Sequence, residues 1–162
     1  MSQMPINKKE NLIYTLMMVT VMAGVMTTYN IVWHDGFNQQ SLQKAWMVFP
    51  LTYVIAFMVE ALLVGKTAFA LIRKLVKESD PLPKKIIVSS LCFVTQMVII
   101  MSVIGTLFFG TVDGSFVATL LITMARNFAL AFPLQVLIAG PLVGFVFRKI
   151  FPVGTIVDIE KA

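Results

Sequence analysis

The chain has 162 residues, of which 58% are hydrophobic and only 13% charged, with a formal net charge of +5. Soluble domains carry about 25% charged residues, so this composition excludes a water-soluble globule. One cysteine, Cys92, and one histidine, His34, exclude an internal disulfide, a paired-cysteine metal motif and a histidine-cluster metal site.

A basic pair, Lys8-Lys9, precedes a first apolar block from about Asn11 to Trp33. The block is longer than a signal-peptide core and no small-x-small site follows it, so it reads as a retained anchor. A short polar loop from His34 to Gln40 leads to a second block, from about Trp46 to Ile72. Between Arg73 and Lys85 the chain is charged and holds Pro81 and Pro83, the composition of a linker. A third block runs from about Ile86 to Gly110, a tight turn is expected at Asp113-Gly114-Ser115, and a fourth block runs from about Val117 to Phe147. Each block is long enough to cross ~30 Å of hydrocarbon at ~1.5 Å per residue. Hydrocarbon offers no partner to free backbone groups, so each block is expected to be helical. A membrane β-barrel requires alternating polarity, which the run from Leu16 to Ala23 lacks. The expected fold is an all-α integral membrane protein with four transmembrane helices. It divides into an N-terminus (1–10), a two-span hairpin (11–76), a linker (77–85), a second two-span hairpin (86–150) and a tail (151–162).

Orientation follows from the basic residues. Lys8, Lys9, Arg73, Lys74, Lys77, Lys84, Lys85, Arg148, Lys149 and Lys161 all fall on one side of a four-span arrangement, Lys44 on the other, and Lys66 and Arg126 within spans. This bias places both termini in the cytoplasm of a multi-pass protein of the cell membrane. Lysine outnumbers arginine ten to three, which fits a bacterial source. Trp33 and Trp46 then lie at the outer interface, where indole rings prefer to sit.

Sliding the sequence against itself by 75 residues aligns Lys9 with Lys84, Thr20 with Thr95, Met26-Thr27 with Met101-Ser102, and Ala56-Phe57 with Ala131-Phe132. It also aligns Glu60 with Gln135, Gly65 with Gly140, and Arg73-Lys74 with Arg148-Lys149. A unit of two spans returns the chain to the same side, so the repeats are parallel in topology and related by an axis along the membrane normal. Each half, with its basic start, Met-rich first helix, Gly-containing turn, and Ala-Phe, Gly and basic end in the second helix, resembles the two-span bacterial membrane proteins grouped as domain of unknown function 2798. Ala131-Phe132-Pro133 and Ala139-Gly140-Pro141 lie closest to that pattern, and the first half departs from it with Met58 and Lys66 where those prolines fall. The resemblance implies a membrane location and supplies no activity, cofactor or catalytic residue.

Glu60 is the most informative single residue, because ionisable groups near the middle of a span are costly and rare. It reads as a proton- or cation-binding acid in a cavity, or as a protonated or hydrogen-bonded glutamate that joins helices. Gln96, Gln135, Thr20 and Thr95 fall at similar depth, either as one polar layer with Glu60 or as interhelical hydrogen-bonding groups. Arg126 either lines an outer vestibule or snorkels to the headgroups, and Lys66 is expected to snorkel as well. Gly65, Gly140 and Gly144 are expected at close helix–helix contacts, the last two as Gly-x-x-x-Gly. Pro133 and Pro141 are expected to kink the fourth span or loosen its hydrogen bonds. The methionines read as flexible core filling. No serine-, cysteine- or metal-based catalytic constellation is present in the sequence, so neither an enzyme nor a cofactor is expected.

Two function classes follow. The first is a small transporter or channel for a small molecule or ion, with Glu60 as the binding or coupling acid and a polar cavity reaching Glu60, Gln96 and Gln135. Four spans are few for a complete pathway, so a homodimer is expected in this case. The second is a non-catalytic membrane module that binds lipid, a hydrophobic ligand or a partner membrane protein. Membrane lipids are expected partners of the basic residues in either case, and nucleic acid is not.

Overall fold

A computed structural model describes residues 8–77, 79–109 and 115–152. The expected Asp113-Gly114 turn, Glu78 of the linker and the tail from residue 153, including Lys161, lie outside the described residues. Four helices account for almost all of the rest: α1 (Lys8–Asp35), α2 (Gln39–Leu75), α3 (Leu82–Phe109) and α4 (Phe116–Ile150). By length and composition each can cross a membrane, and the chain is a multi-pass membrane protein built from two-helix units.

The first hairpin turns on local chemistry. Gly36 takes a left-handed φ of 80°, where a Cβ would be strained, and its N–H donates to the carbonyl of Val32, ending α1. Asn38 caps α2 by accepting from the Ser41 N–H at 2.8 Å, and the Ser41 hydroxyl donates to the Gly36 carbonyl at 2.7 Å. Lys44 pairs with Asp35 across the turn at 2.6 Å. At the opposite end, Asp80 organises the linker by accepting from the Lys77 N–H and from Lys84 Nζ. These bonds, led by that from Lys84, hold the Asp80 carboxyl below its ordinary value. Whatever stability the linker draws from them is therefore fully present above the usual aspartate pKa. It is expected to fade only as pH falls through the lower folded value, and amide exchange at Lys77 measured across the acid range checks this.

The helices stand in the cyclic order α1, α2, α3, α4, with α4 returning to α1. In the half of the bundle nearest the Gly36 turn, α2 packs on α1 and α4 packs on α3. In the half nearest the termini the partners exchange: Gly65–Leu75 lies on α3, and Gly140–Ile150 lies on α1. The two hairpins therefore embrace each other.

Packing repeats with the 75-residue offset. Val19, Ala23 and Ala56 form one buried cluster with Phe49, Tyr53 and Phe57 around it, and Val94, Val98 and Ala131 form the other with Met124, Phe128 and Phe132. Met97 and Met101 of α3 reach into the first cluster, and Met22 and Met26 of α1 reach into the second. This reciprocity is what a two-fold relation between hairpins requires. Lipid tails are as apolar as these side chains, so association rests on close packing at small residues and on interhelical hydrogen bonds. Those bonds repeat too: Thr27 to Thr52 at 2.8 Å in the first hairpin, and Asn127 to Ser102 at 3.2 Å in the second. Each is worth about 0.6–2 kcal/mol.

Candidate functional site

Glu60 opens a wide π turn, Glu60–Val64, that interrupts α2, and α4 carries a matching one at Leu134–Ala139. The Gly65 N–H donates to the carbonyl of Glu60, and the Gly140 N–H to that of Gln135, five residues back in each case. A Cβ on Gly65 would lie 3.0 Å from the Glu60 carbonyl oxygen, and one on Gly140 would lie 2.8 Å from that of Gln135. The close approach at these two glycines is therefore to their own helix, where the sequence reading expects a neighbouring one. Pro133 and Pro141 flank the turn in α4, but Met58 and Lys66 stand in their places in α2. Proline is thus not the common cause, and the glycine that admits the wide turn is. Such turns concentrate at functional sites in helices. Gly144 is buried beside Val143 and Phe147 on α4.

The exchange of partners beyond the π turn separates the terminal arm of α2 from α1. The space between them is a cleft of about 500 Å³. Glu60 lies at its inner end, with Lys66 and Arg73 further toward the termini and Asn11 and Thr15 contributed by α1. Leu12, Phe57 and Phe69 supply apolar wall. Glu60 is only 9% exposed, and its carboxyl has no hydrogen-bond or ion-pair partner among the described residues. Lys66, expected to snorkel, is exposed and lines this cleft.

The other candidate residues are placed elsewhere. Gln96 donates to the Cys92 carbonyl at 3.0 Å and is hydrogen-bonded to Thr67, joining α3 to the terminal arm of α2. Gln135 is half-buried within the π turn of α4. Thr20 is exposed and donates to the Leu16 carbonyl of its own helix, and Thr95 is half-buried on α3. Neither Gln96 nor Gln135 lines the cleft, so the structure does not bring these five residues into one polar cavity. Arg126 does not line this cleft. It donates to Asn30 Oδ1 at 2.6 Å and packs over the Tyr29 and Trp33 rings at 5.6 and 5.0 Å, tying α4 to α1.

One pairing has no signal in the repeat alignment. Glu10 at the start of α1, 1% exposed, forms an ion pair with Arg148 at the end of α4 at 3.1 Å. Beside it the Tyr14 and Phe147 rings meet edge to face, with centroids 5.6 Å apart. The residues 75 positions away, Lys85 and Arg73, carry like charges and cannot repeat this bond. Arg148 is thereby committed to α1, whereas its counterpart Arg73 is exposed and faces the cleft.

A family model described as Domain of unknown function (DUF2798) matches the chain twice, over residues 7–76 and 83–151. The Bacillus subtilis (strain 168) protein named "Uncharacterized protein YybC" is 35% identical over 150 residues, which is 90% of this chain and 94% of that one. No solved structure matches the chain significantly. Each family match spans one hairpin with its π turn, so the chain belongs to the DUF2798 family, as two of its units in tandem.

Proposed function

We propose that this protein is a small membrane transporter that moves a small molecule or ion, with Glu60 as its ionisable binding group. The observation that carries the reading is an unpartnered, nearly buried carboxyl at the inner end of a cleft that runs toward the termini. An intramembrane ionisable residue is a functional candidate by default, because its desolvation must be offset by something. The tandem repeat supplies an internal control. Gln135 occupies the equivalent place with the same π turn and the same glycine, so this backbone geometry needs no carboxylate. In this reading both termini face the cytoplasm, as the basic residues at the helix ends favour, and two chains associate to complete a pathway.

Single-cysteine variants in a Cys92→Ala background test it in intact cells and inverted vesicles. Glu60→Cys is expected to react with a membrane-impermeant maleimide from the side of the termini. Asn38→Cys is expected to react only from the opposite side. If position 60 reacts from neither side, water does not reach it and the transport reading fails.

A further inference from the structure

We infer that the cleft takes a small organic anion with an apolar body, and that binding of this anion is coupled to a proton on Glu60. The inference rests on the transport reading and gives it a substrate class. Its first support is the charge inventory of the cleft. Lys66 and Arg73 face it from α2, and among the described residues Glu60 is the only acid in its lining. From α1 come the neutral Asn11 and Thr15. The titratable Glu10 and Tyr14 of α1 are engaged with α4, through Arg148 and Phe147. On the far side of the same arm, α3 presents Cys92, buried against Val64 and Ala68, and Gln96, bonded to Thr67. The cleft is therefore net positive with Glu60 in either protonation state, which selects an anion over a cation.

The second support is the contrast between halves. At the positions equivalent to Asn11, Lys66 and Ala70 the other repeat has Ile86, Pro141 and Phe145, and the equivalent of Arg73 is held by Glu10. The backbone device is kept in both halves, and the free charge in only one. Leu12, Phe57 and Phe69 then define the apolar body of the ligand.

Coupling follows from position. Glu60 and Lys66 are six residues apart, about 9 Å along a helix axis. An anion held at Lys66 therefore meets a like charge at about that distance when Glu60 is ionised. At an effective dielectric of about 20 this weakens its binding by on the order of tenfold. Protonation of Glu60 removes the repulsion, so proton and anion bind cooperatively, each favouring the other by the same factor.

Benzenesulfonate, which stays charged at all relevant pH values, is a direct probe. Its affinity for the full chain in phosphatidylcholine nanodiscs would be measured by calorimetry at pH 5.5 and 8. Binding is expected to be about tenfold tighter at pH 5.5. Glu60→Gln should remove that pH dependence and keep the tighter affinity. Lys66→Met and Arg73→Met should each weaken binding about tenfold while leaving helicity and thermal unfolding unchanged. If the sulfonate does not bind but phosphatidylglycerol is retained on purification and lost in Lys66→Met, the anion is a lipid headgroup and the anionic specificity stands. If neither anion binds, or binding ignores Lys66 and Arg73, the inference is overturned. Should tetraethylammonium bind instead, with loss in Glu60→Gln only, the anion inference fails while Glu60 as a transport acid survives.

Discussion

Replacing Glu10 with Ala is expected to destabilise the protein by about 3–5 kcal/mol, the cost of leaving one member of a buried ion pair without its partner. Glu10 is 1% exposed and the Arg148 side chain 13%, so water can replace little of what is lost. The bond joins the first turn of α1 to the last turn of α4 and closes the ring of helices at the terminal end. Arg148→Ala should cost a similar amount, and more of its effect should come from lost packing, because its guanidinium also lies 5.0 Å from the Phe147 ring. The double variant Glu10→Leu/Arg148→Met should recover most of the loss, since replacing both charges with apolar groups removes the desolvation cost as well. Cys92, the only cysteine and buried, gives a convenient readout through its reaction with a thiol-sensitive dye during thermal unfolding in detergent. Single variants within ~0.5 kcal/mol of the parent would mean that the pair contributes nothing to closure.

Gly140→Ala is expected to be less damaging, at about 1–3 kcal/mol, the range for forcing atoms into a filled space. The added Cβ would sit 2.8 Å from a backbone carbonyl oxygen, which cannot swing aside as a side chain does. Relief requires the π turn to tighten, which would rotate the terminal arm of α4 away from α1. Gly65→Ala, at 3.0 Å from the Glu60 carbonyl, should cost less overall. Its effect should also be more local, because tightening that turn would re-aim Glu60 and narrow the cleft. A cysteine at position 60 should therefore react more slowly with the impermeant maleimide when Gly65→Ala is present. An unchanged unfolding temperature for Gly140→Ala would show that the wide turn is not held open by the missing Cβ.

Both predictions concern features with different visibility in the sequence. Gly65 and Gly140 are conspicuous in the repeat alignment, but a glycine within a span is equally compatible with helix packing and with a wide turn. Only the carbonyl five residues back distinguishes the two. The prolines beside Gly140 suggest a kink in α4, yet the same turn forms in α2 without them. Glu10 and Arg148 are legible only as charges near span ends. Their pairing depends on α4 crossing to α1 beyond its π turn, a contact between residues 138 positions apart that no local pattern encodes. Arg126 is similar, since its partner Asn30 lies 96 positions away. Thr27 and Ser102 stand out in the alignment, whereas their partners Thr52 and Asn127 are dissimilar residues and emerge only when the helices are side by side.

What the sequence determined by itself is the number of membrane helices, their all-α character and the duplication. The first two follow from a bilayer's demand for long apolar segments with internally satisfied backbones and the third from matching residues at a fixed offset, and all three are one-dimensional properties. What the tertiary structure decided is which helices touch and where they part. The order around the bundle, the exchange of partners beyond each π turn and the cleft that the exchange opens beside Glu60 all depend on side-chain packing between distant residues. Gln135 has the place of Glu60 in the repeat but not its surroundings, and Gln96 bonds to Thr67, seven positions beyond Glu60, because position along the chain is legible in the sequence whereas the direction a side chain faces depends on the angle of its helix.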